Sequence, residues 1–442
     1  MLSFIIIFLV FCSPFTKLGL TMKQPELIQP ENISPRLHWQ TLFQYLPQWP
    51  EPAAKTGRKP VSRDALMRGC IYQRLSRRRF VRDVCTALKE SPPLMAALGF
   101  DPYSRPPGVE RFSSFLSDTP HKCFEHVRVS LTRQLLDLGV LNSNHVGFDS
   151  CPIASWVKEN NLKTSLRRQR FDKSKPPKGD PDACVGVRIH FPSPGKNSVE
   201  YFWGYRNHTL SDLESELPLW EITEPNCVGE PSVAIPLLDS ARARLGLQYG
   251  SVAADAEYDS EAILRHIVHE LEAKPFIARN RRRAQNPSGF RLEGRHVLCP
   301  GGLPMYRRGK MTVKGVTYIQ YQCPFYFGKR PDLLMCPVDH PKFSVQKGCN
   351  YLQRITGSIR DTIPYGTQVF KEHYDRRSAA ERIFSRLLSV TIQEPSVRGL
   401  NSVRNHATLS HIAVLLVALA AHKRGHTEHK RFVRTFVPNI LD

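Results

Sequence analysis

Between residues 146 and 280, short apolar runs alternate with helix-patterned stretches, and this order constrains the fold more than any other feature of the chain. Val146–Phe148 lead directly into Asp149. CVGVRIHF (184–191) and VEYFWGYRNHTL (199–210) read as two more strands, joined by the hairpin-like PSPGKNS. Residues 230–246 put Val233, Ile235, Leu237, Leu238, Ala241 and Leu245 on one side of a helix. GSVAADAEYDS is a strand carrying Asp255, a helix follows over 260–271, and PFIARN (275–280) is a fifth strand. Three strands, then helix, strand, helix and strand make an α/β order that still needs one final helix. Residues 370–388 supply it, after an interruption spanning 281–365.

The flanks are of a different kind. From Ser62 to about Gly139 apolar residues recur at spacings of three and four, broken by Pro92-Pro93 and Pro106-Pro107-Gly108. This predicts a small helical domain over 22–140, after a proline-rich lead-in. RLSRRRFVRD places Arg74, Arg77, Arg78, Arg79 and Arg82 on helical turns, as a phosphate-binding helix or as a solvated face. LSHIAVLLVALAAHK (409–423) is apolar nearly all round but short, which favours a buried core helix over a membrane span. Residues 425–442 form a basic tail. MLSFIIIFLVFC at the N-terminus has no Lys or Arg before it and no clear cleavage site after it. Residues 1–21 therefore read as a spurious extension ahead of an ordinary start at Met22, with an export signal as the competing reading.

Lys and Arg outnumber Asp and Glu by 62 to 40, a net charge of +22 that calls for a polyanionic partner, with nucleic acid the commonest. A hydrophobic fraction of 41% excludes a disordered chain. Eleven cysteines, an odd and scattered set, suit a reducing cytoplasm better than disulfide staples.

Two-metal phosphoryl transfer needs acids that converge from strand ends and a facing helix, because Mg²⁺ prefers hard oxygen ligands. Asp149 and Asp255 each close an apolar strand, and Glu381 lies on the final helix. Each alone reads better as solvated surface or as a helix cap. Asp259, just before a helix, reads as an N-cap, and His208 and Asp212 as supporting groups.

YDRRSAAERIFSRL (374–387) resembles the Tyr–x₂–Arg–x₃–Glu signature of insertion-sequence DDE transposases with a ribonuclease-H-like catalytic domain, through Tyr374, Arg377 and Glu381. VGFDS and ADAEYDS match the contexts of that family's first and second Asp, and GRKPVSRDAL with PGVERFSSFL resembles its helical N-terminal domain. The resemblance runs from about residue 57 to 423. It implies a mixed five-stranded sheet with helices (141–280 and 366–424), preceded by a helical DNA-binding domain and interrupted by a Cys-rich insertion. It also implies catalytic and metal-binding roles for Asp149, Asp255 and Glu381, with Mg²⁺ or Mn²⁺ as cofactor. DNA, as element ends and target, is the implied partner, in a homodimer and without a membrane. Tyr374 and Arg377 become phosphate contacts. The signature Lys seven residues after the Glu is replaced by Leu388, with Arg386 nearby as a substitute contact.

The interruption carries two further features. Cys299, Cys323, Cys336 and Cys349 are its only cysteines, and three precede a proline. They suit a structural Zn²⁺, with His340 as a substitute ligand, or else remain free thiols, since no Cys-x₂-Cys pair occurs. Arg279, Arg281, Arg282, Arg283, Arg291, Arg295, Arg307, Arg308, Lys310 and Lys314 face a single acid, Glu293, and read as a track for the DNA backbone. The alternatives are a nuclease of the same fold, an inactive DNA-binding derivative, and an exported basic binding protein.

Overall fold

A computed structural model describes residues 38–49, 60–193, 196–280, 289–293, 296–313, 316–326, 336, 348–354 and 358–437. Among them the chain begins with helices α1 (Trp39–Phe43), α2 (Arg63–Leu75), α3 (Val81–Glu90), α4 (Pro92–Ala97), α5 (Val109–Asp118) and α6 (His121–Asp137). The central region holds β1 (His145–Ala154), β2 (Cys184–Ser193), β3 (Lys196–Asp212), β4 (Leu217–Pro225), α7 (Glu230–Leu245), β5 (Ser251–Ala254), α8 (Glu261–Arg265) and β6 (Lys274–Ile277). Next come β7 (Arg291–Glu293), β8 (His296–Leu298), β9 (Tyr306–Val313), β10 (Val316–Gln322) and β11 (Asn350–Arg354). The chain continues through α9 (Gln368–Asp375), α10 (Ser378–Ser389), α11 (Leu400–Lys423) and α12 (Val433–Phe436). The expected N-terminal extension, 1–21, lies outside the described residues.

The central sheet has six strands where the sequence pattern predicts five. LPLWEITEP forms β4, and burial of its first five residues in succession removes the alternation that marks a half-exposed strand. The 17-residue β3 is antiparallel to β2 over its first half and lies between β1 and β4 over its second. The path through the site is therefore β4-β3-β1-β5-β6, with β1–β5 and β5–β6 parallel. At Gly204, where β3 crosses from one partner to the next, a Cβ would run into the Ile153 carbonyl oxygen.

Against this sheet and the early helices lies α11, in contact with α2, α5, α6, α10 and β4. It is nine residues longer at its N-terminal end than the apolar run predicts, and its most apolar window is 94% buried, as expected of a core helix. Several of its buried polar groups have specific partners. Asn405 Nδ2 donates to the carbonyls of Leu116 and Thr119, and Thr408 Oγ1 donates to Glu221. Arg74 donates to the Cys70 carbonyl, the Ser410 hydroxyl and His406 Nδ1, so His406 Nε2 carries the proton given to the Thr391 carbonyl. The arginine run is thus not one basic helix. The turn between α2 and α3 interrupts it, with Arg77 at φ 54°, and Arg74 is fully buried as a tie to α11.

Burial pushes His406 down to about 3 and His411 down to about 4. The unfolded chain takes up these protons near pH 6.5, whereas the folded chain refuses them until much lower pH. Stability is therefore full above pH 6.5 and falls as the pH drops towards 4. His411→Gln keeps a donor for Asn207, which His411 Nε2 contacts at 3.1 Å. The loss of unfolding free energy between pH 7 and pH 5, measured by urea titration, is expected to be roughly 2 kcal/mol smaller in this variant. An unchanged loss sinks the assignment.

Candidate active site

The site begins with strand register. β1 and β5 pair in parallel through Val146–Val252 and Gly147–Ala253. Continuing that register by two residues sets Asp149 level with Asp255, one strand spacing away. Both acids follow a valine by three positions, so the sequence places them at the same depth. Asp149 Oδ1 accepts the Ser150 N–H at 2.8 Å, and Asp255 Oδ1 accepts the Glu257 N–H at 2.7 Å, capping a short turn over Ala256–Tyr258. Burial pushes the Asp149 carboxyl up to about 6. The charges of Asp255 and Glu230 add to this, against the Ser150 N–H and Arg377.

The third acid arrives on α10. The expected single helix over 370–388 is two, α9 and α10, separated by a turn at Arg376-Arg377. The signature still converges because the turn residues remain near helical geometry. Arg377 lies 3.3 Å from Glu381 and 3.8 Å from Asp149, and its guanidinium stands over the Tyr374 ring at 5.8 Å. The charges of Asp149, Glu381 and Asp255 all raise the Arg377 pKa. Arg377 thus pairs with Asp149 and Glu381, while Asp255 acts on it only through its charge and less than Tyr374 does. Among the described residues the three carboxylates do not all come within 4.8 Å of one another, and Glu381 is 63% exposed.

A fourth carboxylate, not singled out from the sequence, completes the surroundings. Glu230, the first residue of α7, accepts from Ser150 Oγ at 2.7 Å and Tyr258 Oη at 3.2 Å, and pairs with Arg206 of β3. Arg206 also reaches Ser150 Oγ at 3.1 Å. One side chain therefore ties the residue after Asp149 to the turn after Asp255. The available signal was positional: Glu230 opens a helix directly after the fourth strand, β4. His208, opposite Ser150 in the β1–β3 register, is buried, and burial pushes it down to about 4, so it stands neutral beside this network.

Other expected residues take different places. Asp212 accepts the backbone N–H groups of Asn142 and Glu214 and shapes a turn. Asp259 is not the cap of α8; Ser260 is, and Asp259 instead holds Arg360 and the Asn280 N–H. Arg386 donates to the Glu216 carboxylate and carbonyl, both at 2.6 Å. Leu388 is exposed. Arg281, Arg282, Arg283 and His340 lie outside the described residues, whereas Arg307, Arg308 and Lys310 stand exposed on β9. Cys299, Cys323 and Cys349 share a small core apart from the main one.

The family model described as the transposase DDE domain matches residues 184–416, a span that includes Asp255 and Glu381 and begins after Asp149. A solved piggyBac transposase synaptic complex with hairpin DNA is similar over 89% of this chain and 76% of its own, at 9% identity and a TM-score of 0.37. No curated protein sequence matches the chain.

The Arg206–Glu230 pair is partly buried, with side chains 22% and 26% exposed. Arg206→Met is expected to cost about 1–2 kcal/mol in chemical denaturation, allowing for solvent screening. In a Glu230→Gln background the same change should cost clearly less, read as a double-mutant cycle. Additive losses overturn the coupling.

Proposed function

The chain belongs to the transposase DDE domain family, and from that premise we propose that this transposase carries out metal-dependent cleavage and strand transfer of the DNA ends of its own insertion sequence. The observation that carries the proposal is the parallel β1–β5 register, which runs to Gly147–Ala253 two residues short of Asp149 and Asp255, together with the Arg377 contacts to Asp149 and Glu381. The strand path β4-β3-β1-β5-β6, antiparallel then parallel, supports a ribonuclease-H-like reading of the catalytic part.

Three carboxylates around one guanidinium form a donor set of hard oxygens that fits Mg²⁺ or Mn²⁺. A bound ion of this kind supplies an activated water and neutralises charge on the phosphate under attack. Asp149, Asp255 and Glu381 would hold it. Arg377 offsets their charge and, once displaced from Asp149, turns to a DNA phosphate beside Tyr374. Hydrolysis at the element end frees a 3′-hydroxyl, which attacks target DNA in line with no covalent protein intermediate. The protein's share is positioning and charge. Arg307, Arg308 and Lys310 on the exposed β9 supply a backbone track, and joining two ends calls for a homodimer.

Asp149→Asn and Asp255→Asn are each expected to lower cleavage and joining of end-containing DNA by at least about a thousandfold, with end binding by mobility shift changed less than about threefold. Cleavage surviving either change removes that residue from the site. Cleavage by the unaltered chain without joined product makes the protein a nuclease of the same family.

A further inference from the structure

The cysteines between β8 and β11 play no part in that reaction, and their placement is not that of scattered thiols. β10 and β11 pair antiparallel as far as Gln322–Asn350, so the next residues outward, Cys323 and Cys349, face each other where the two strands open. Gly348 makes this possible. Its φ is 54°, and a Cβ there would collide with the Cys323 side chain, so the backbone passes directly against that thiol.

Cys299 sits at the end of β8 in a tight turn. Its N–H donates to the Leu303 carbonyl at 2.9 Å and its carbonyl accepts the Gly302 N–H at 2.8 Å. Cys299, Cys323 and Cys349 are each about 5% exposed or less, and all belong to one small core with Val297, Met305, Tyr321 and Tyr351. Cys336 is not part of that core, but its charge, after burial and the charges of Cys299 and Cys323, also pushes the Cys349 thiol up. None of the four is in a disulfide.

Among the described residues this core is small, with Val297, Met305, Tyr321 and Tyr351 buried and a rim of partly buried apolar side chains packed against them, and small cores are commonly stapled by disulfides or metal. We propose that Cys299, Cys323, Cys336 and Cys349 bind one structural Zn²⁺ as four thiolates. The chemistry balances simply: four thiols each release a proton as four Zn–S bonds form, with no change in oxidation state. No three of the sulfurs lie within 4.8 Å of one another among the described residues. Forming Zn–S bonds of about 2.3 Å therefore requires the turns at Cys299, Cys323 and Cys349 to draw inward.

The test uses the full chain, purified without a metal-affinity tag, with metal content read by inductively coupled plasma mass spectrometry. About one zinc per chain is expected in the unaltered protein, and background in the Cys323→Ser/Cys349→Ser double variant. Replacement by Co²⁺ should give the thiolate charge-transfer and visible bands of a tetrahedral four-sulfur site. Should the double variant fail to fold, the unaltered chain's zinc content and cobalt spectrum decide alone. No zinc after incubation with equimolar Zn²⁺, or a cobalt spectrum with fewer than four sulfurs, overturns the assignment. Neither readout depends on transposition, so this proposal fails or stands apart from the catalytic one.

Discussion

Two carboxylates held level on adjacent parallel strands are the constraint around which the site is organised. At a strand spacing of ~4.8 Å and an effective dielectric of ~20, two such charges repel by roughly 3 kcal/mol. The Val146–Val252 register imposes this proximity, because moving one strand by a residue would turn every side chain to the opposite face. The fold answers with cations. Arg377 touches Asp149 and Glu381, and Arg206 is paired with Glu230. Under the proposed function, a divalent ion would take the role Arg377 plays towards the acids and release the guanidinium for a polyanion. Acidic strand ends and basic signature residues are thus two parts of one electrostatic device.

That device needs a rigid base, and α11 supplies it. A helix buried on nearly all sides carries its polar residues at a cost unless each finds a partner. Asn405, His406, Thr408, Ser410 and His411 make bonds that reach α2, the end of α5, β3, β4 and the segment after α10. The early helices are thereby locked to the sheet instead of hanging from it. Arg74 exemplifies this, since its charge serves the interior and not the surface.

The sequence made the site legible where chemistry and periodicity coincide. The acids that close apolar runs and the Tyr–Arg–Glu steps follow local rules, and the structure brings Asp149, Tyr374, Arg377 and Glu381 together, whereas Glu230 was not singled out. It misled where tertiary context overrides local pattern. Residues 217–225 lose their alternation because both faces are covered, and Arg74 looks like surface charge until α11 is placed beside it. Asp259 precedes a helix as a cap should, yet its partners lie 21 and 101 residues away, beyond the reach of any local rule.

Those distant partners explain how the site tolerates its long interruption. Asp259 Oδ2 accepts the N–H of Asn280, where the chain leaves β6, and Oδ1 accepts Arg360 Nε at 2.8 Å, where the chain returns. Arg360 also reaches Glu261, and Arg279 stands over the Tyr365 ring, so both ends of the excursion are pinned beside α8. Closure entropy grows only with the logarithm of loop length, so once the ends are fixed the length between them costs little. The excursion can thus carry its own small core and basic strands while α9 and α10 return to a position set by Asp259. The distance from Asp255 to Glu381 in space is uncoupled from their distance along the chain. This lets a three-acid site survive an insertion of this size.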